Sequence, residues 1–307
     1  MENLECILYT DTLKQLYNEV SNQGSPIPII FEIVQKTELN VVGSAGHCQL
    51  IIEPQGLHIR IKIRDDRVNE DVISHELLHA KHIRNGYSGG IACIETNSII
   101  ERIGSSLSNT LEHVLIYQTQ DHLNVKRSES SKILQQMLDV THNERSDLQM
   151  LLSALAILEC KVRGDLGYDE LIDQIAKKYP LAYTIALHIF ELIDAEKLVN
   201  PFSFRRSIIK ILSYLETISF ADQKTKTIPF RKMIAVSFVP SRRQLTQTVS
   251  TVFVLKHNYF GTHYTGILSR AEDQLSFLIV MPSQKDIENL PLADFFAALQ
   301  YPYQTRD

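Results

Sequence analysis

Residues 71–82 read DVISHELLHAKH, and the reading of that stretch decides what this chain builds. His75 and His79 stand four apart, with Glu76 directly after the first. Four residues along an α-helix is about 40° of rotation and one turn of rise, so both imidazoles project from one face. They can converge on a single ion at about 2.0–2.1 Å, the length of a zinc–nitrogen bond. Glu76 projects about 100° round from His75. That places it beside such an ion, where a carboxylate can take a proton from water acidified by the metal. Val72, Ile73, Leu77, Ala80 and Ile83 fall on the arc away from the histidines, so one helix can pack on a core and face a cleft at once. With 11 His and 20 Glu in 307 residues, independent placement yields roughly 0.03 matches to this pattern. The plainer alternative is an amphipathic helix carrying two solvated or hydrogen-bonded histidines.

Working outward, the upstream sequence supplies a sheet for that helix. Residues 5–20 carry apolar side chains at helical spacing (Leu8, Leu13, Leu16, Tyr17, Val20), and SNQGSP ends that helix. IPIIFEIV reads as a buried strand. HCQLIIE and LHIRIKIR, separated by PQG, read as a hairpin. In the second of these, Leu57, Ile59, Ile61 and Ile63 face one way and His58, Arg60, Lys62 and Arg64 the other. DDRVNED then brings acids to the entry of the HELLH helix, where the positive end of the helix dipole favours them.

Downstream, from about 94 to 220, five segments repeat apolar residues at a period of 3.6, with breaks at GYSGG, RGDLG, Pro180 and Asn200-Pro201. Past ADQKTKTIP the period shortens: MIAVSFV, QTVSTVFVL, THYTGILS and LSFLIVM read as strands, with a short helix near 284–299. Two units are therefore expected, a first domain over 1–225 with a helical second half and a small α+β, mainly β, module over 226–307. The helix LAYTIALHIFELI, tested as a recognition helix, is apolar almost all round and lacks the polar face that a DNA groove requires.

HELLH, preceded by an amphipathic strand, resembles the active-site helix of the zincin superfamily of zinc metallopeptidases, and the resemblance covers residues 28–118. It implies a zincin-like α+β domain, a small sheet plus active-site helix, with Zn2+ as cofactor and a protein or peptide as substrate. It also implies that an edge strand, here LHIRIKI, binds substrate in extended form. His75 and His79 would be metal ligands and Glu76 the catalytic base. The metzincin extension is missing, because His82 stands where its glycine would be and Asn85 where its last histidine would be. The resemblance is therefore gluzincin-like, which implies a downstream glutamate as third ligand. Glu112, 33 residues after His79, is the expected ligand, with Glu101 as rival, Glu95 behind it and His113 as the alternative that is not a glutamate. Asn109, one turn before Glu112, is placed to orient it, and His113 and Tyr117 to line the same cleft. His82 is expected to cap the helix C-terminus. His142 has no partner at ligand spacing, and Cys93 lies in the loop between the two helices, where a thiolate could occupy an open metal position.

Composition bounds the rest. Apolar residues at 44% and charged residues at 22% describe a globular chain. Four scattered cysteines without a CxxC pair, and an N-terminus with acids and no basic n-region, lead us to expect reduced thiols and a cytoplasmic location. No apolar run reaches transmembrane length. Residues 200–245 hold nine basic residues against two acids, a local +7 that leaves −12 for the remainder of a −5 chain. This motivates a second expectation, a regulatory or binding protein with a structural or vestigial zinc site. Such a protein would act through that basic segment and the C-terminal sheet, with nucleic acid the weaker candidate partner.

Overall fold

The computed structural model describes residues 4–38, 45–53, 56–87, 92–93, 98–127, 132–139, 147–164, 168–194, 197–218, 228–256, 265–269, 276–280 and 287–307. Helices α1 (Leu4–Ile7) and α2 (Asp11–Asn22) precede three strands, β1 (Ile29–Val34), β2 (Gly46–Glu53) and β3 (Gly56–Arg64). The HELLH helix, α3 (Glu70–Arg84), follows, then the two-residue β4 (Ala92–Cys93) and the long α4 (Ser98–His122). The helical part continues through α5 (Lys132–Asp139), α6 (Asp147–Arg163), α7 (Tyr168–Lys178), α8 (Pro180–Leu192) and α9 (Pro201–Leu215). Short elements complete the chain: α10 (Phe230–Met233), β5 (Ile234–Ser237), α11 (Arg242–Leu245), α12 (Val249–Val252), β6 (Phe253–Lys256), β7 (Thr265–Ser269), β8 (Ser276–Val280) and α13 (Leu292–Leu299). The fold is α+β and mostly helical.

The first sheet has the order β1-β3-β2. β1 runs parallel to β3 with Ile29 opposite Ile59, and β2 runs antiparallel with Gly46 opposite Ile63. The expected hairpin is therefore present, but LHIRIKI is the central strand and β2 is an edge. Alternation along a strand distinguishes its two faces and carries no information about its two edges, which is why spacing misplaced it. Ile59, Ile61 and Ile63 are fully buried, while Arg60 and Lys62 on the other face pair across the strands with Glu32 of β1.

α3 begins where Asn69 accepts a hydrogen bond from the Val72 N–H at 2.9 Å, and Glu70 and Asp71 follow in its first turn. Its apolar arc (Val72, Ile73, Leu77, Ala80, Ile83) joins Ile59, Ile61 and Ile63 of β3 and Leu13, Leu16 and Val20 of α2 in one core. A second, helical core is built from α4, α6, α8 and α9, with Leu158, Ile185 and Leu212 among its buried residues. α4 serves both, burying Ile103, Leu107 and Leu111 in the helical core and Ile116 and Tyr117 in the sheet core. Each such Leu or Ile contributes on the order of 1.5–3 kcal/mol when fully buried, so the angle between α3 and α4 is fixed by packing on both sides. Gln120 of α4 adds a polar clamp, donating to the Asp71 carbonyl and the Ser74 hydroxyl of α3, both at 2.9 Å.

The segment beyond 226 is tied into this body. β4 pairs antiparallel with β5, Ala92 opposite Ala235, at the end of a sheet of order β4-β5-β8-β7-β6. Ile228, Phe230, Ile234 and Val236 lie in the helical core. Only the far side forms a cluster of its own, with Val249, Val252, Phe253, Phe295 and Phe296. QTVSTVFVL, expected as one strand, divides into the helical turn α12 and strand β6, because Val249 and Val252 at i, i+3 both turn into that cluster. Among the described residues, no helix is long and apolar enough to cross a membrane.

Candidate metal centre

Three imidazoles meet where α4 crosses α3. Ring centroids are 4.9 Å apart for His75 and His79, 4.7 Å for His75 and His113, and 5.3 Å for His79 and His113. One ring nitrogen of each lies within 4.8 Å of the other two, and among the described residues this is the one such group of three or more His, Cys, Asp or Glu side chains. The helical spacing that aligns His75 with His79 therefore delivers half of the geometry, and the buried crossing with α4 delivers His113.

Carboxylates hold two of these rings. His79 Nδ1 lies 2.6 Å from Glu112 Oε2, and His113 Nδ1 lies 2.6 Å from Glu159 Oε1. Each contact occupies Nδ1 and leaves Nε2 as the nitrogen available to a metal, an arrangement that fixes ring orientation and basicity at metal sites. Tyr117 donates its hydroxyl to the same Glu159 oxygen at 3.1 Å, and its ring centroid sits 5.6 Å from that of His75. The Gln120 side chain is the polar neighbour of His75.

The electrostatics follow from burial and these partners. Burial, reinforced by repulsion from His113, His79 and Arg163, pushes His75 well below the ordinary histidine range and keeps its ring neutral, the form that binds metal. Burial also opposes charge on His79, but its bond to Glu112 outweighs this and raises its pKa. Burial acts upward on Glu112 and Glu159 too, yet the facing histidines hold both carboxylates well below their usual range. Glu76 is different. Only 5% exposed, it is raised by burial to about 7, Glu112 adding to the effect and His79 opposing it.

Glu112, expected as the third ligand, is not in the group of three imidazoles. It stands behind His79, and His113, the neighbouring residue on α4, completes the group. Glu101 is exposed in the first turn of α4, and Asn109 is exposed rather than turned toward Glu112. Tyr117 is buried with its hydroxyl engaged by Glu159. His82, expected as a helix cap, is buried instead, 3.9 Å from Glu112 and packed on the Tyr87 ring, while Asn85 donates to the Lys81 carbonyl. Glu95, His142 and the Cys93 side chain lie outside the described residues.

Three contributors escaped spacing arguments. Glu159 is a lone acid in the apolar run SALAILEC, and that isolation is the signal that could have marked it. Gln120 is fully buried on α4. Cys48 of β2 lies near the site, its thiol kept protonated by burial and by the charges of Glu76 and Glu112.

The donor set fits a metal ion: three imidazoles, one held neutral and two with Nδ1 anchored by carboxylates. Of the basic residues of 200–245, Arg231 is paired with Glu216 at 2.7 Å, and Lys224 and Lys226 lie outside the described residues. No protein-family model, curated protein or solved structure matches the chain.

Proposed function

We propose that the chain is a zinc-dependent hydrolase of peptide bonds, with the metal held by His75, His79 and His113 and with Glu76 as the base. The observation that carries this reading is the convergence of the three imidazoles beside the buried carboxylate of Glu76, which follows His75 on α3 and has His79 as an attractive neighbour. When bound, the metal supplies Lewis acidity, lowering the pKa of water and polarising a carbonyl. Glu76 takes the proton from the attacking water and returns it to the leaving amine, a role that a pKa near 7 suits in both directions. Glu112 and Glu159 hold the rings of His79 and His113, and Gln120 ties α4 to α3 so that the three nitrogens keep their separation.

The substrate on this reading is an extended segment of protein or peptide. β2 pairs with β3 along one side and is an outer strand in the order β1-β3-β2, so β2 takes over the edge role first expected of LHIRIKI. A peptide added there would run past Gly46, against which Glu76 lies.

The test is hydrolysis of an unstructured protein by the zinc-loaded chain. Cleavage should stop on chelation and return with zinc, and Glu76→Gln should keep the metal and lose cleavage by about 100- to 10,000-fold. Wild-type turnover by Glu76→Gln would remove Glu76 from the mechanism.

A further inference from the structure

We propose that Gly46 is a positioning residue for the base, the space left by its missing side chain being the seat of the Glu76 carboxylate. A Cβ built on Gly46 would stand 2.6 Å from Glu76 Oε1, 2.7 Å from its Cγ and 2.9 Å from its Cδ. Real side chains do not approach so closely, so any other residue at 46 must displace Glu76 or the strand.

Backbone conformation offers no other reason for this glycine. Among the described residues, the glycines in the left-handed region are Gly24, Gly56, Gly86 and Gly164, and Gly46 is not one of them. It sits in the β2–β3 ladder opposite Ile63, where any L-residue could stand and where glycine weakens the strand. Close approach of another group is the remaining account of a glycine in such a place.

Glu76 has little room to yield. It is almost fully buried, and its neighbours on α3, Ile73, Leu77 and Ala80, have no exposed surface. Helix and strand are packed against each other in the sheet core, so the carboxylate is held between them at the first residue of the edge strand. A displacement of about 1 Å at a catalytic group is enough to cost roughly 100-fold in rate. The catalytic half of the inference rests on Glu76 being the base. The steric half stands by itself.

The experiment is a cycle of four zinc-loaded proteins: wild type, Gly46→Ala, Glu76→Ala and the double variant, compared by denaturation midpoint, zinc content and peptide hydrolysis. Gly46→Ala in the wild-type background should lower the midpoint and reduce turnover by about 100-fold with zinc content unchanged. In the Glu76→Ala background the same substitution should leave the midpoint unchanged or raise it, because the clash is gone and alanine is the better strand residue. An equal loss of stability in both backgrounds, or full activity of Gly46→Ala, would overturn the proposal. If Gly46→Ala does not fold, the double variant decides: a folded double variant supports the seat and an unfolded one refutes it. If wild type itself hydrolyses nothing, the peptidase reading fails while the stability cycle still reports on the seat.

Discussion

The sheet core and the helical core contribute to the same site in opposite ways. The sheet core holds α3 against β3 through an almost entirely apolar contact, and the groups it delivers, His75, Glu76 and His79, are adjacent in sequence. The helical core delivers His113 and Glu159, which are 46 residues apart and meet only because α6 packs along α4. A site made within one helix is as stable as that helix. A site made between helices depends on buried polar pairs, each of which leaves an uncompensated charge if one partner is removed. The two halves should therefore fail differently.

The largest effect is expected on the ligands. His75→Ala, His79→Ala and His113→Ala should each lose stable zinc binding and all hydrolysis, read by metal analysis. If His113→Ala retains zinc, the helical core supplies no ligand and the two halves are not one site.

Removing the carboxylates behind the rings should act in a graded way. Glu112→Gln and Glu159→Gln are expected to weaken zinc binding by about 10- to 100-fold, measured by competition with a chelator. Glu159→Gln also replaces the charged acceptor that His113 and Tyr117 share with a neutral amide oxygen, so it should be the more destabilising of the two in thermal denaturation. Equal effects would show that the helical half carries no extra polar load.

A smaller effect separates Glu76 from both pairs. Its folded pKa of about 7 lies above the unfolded value of 4.5, so the metal-free folded chain keeps a proton that the unfolded chain releases. Its contribution to stability is therefore full below about pH 4.5 and falls as pH rises toward 7, by up to about 3 kcal/mol. Glu76→Gln has no such loss. The metal-free variant should match wild type near pH 4 and exceed it above pH 7 in urea denaturation. A constant difference across this range would mean that the buried carboxylate is not the source.

How much of this was legible in the sequence follows the same division. The helix, the hairpin, and the pairing of His75 with His79 rest on periodicity and local spacing, and all three are present. The central placement of LHIRIKI was hidden because β1 reaches it through a parallel pairing that leaves no mark on alternation. The choice between Glu112 and His113 was hidden because adjacent residues on α4 point about 100° apart, and which of them faces α3 depends on the roll of α4 between two cores. The link of β4 to β5 was hidden because a two-residue strand is too short to show a period.

The most direct measurement is zinc stoichiometry and affinity in wild type, His113→Ala and Glu112→Ala, determined side by side at one pH. One equivalent is expected in wild type, none in His113→Ala, and a retained but weakened site in Glu112→Ala. A full site in His113→Ala together with none in Glu112→Ala would contradict this and make Glu112 the third ligand.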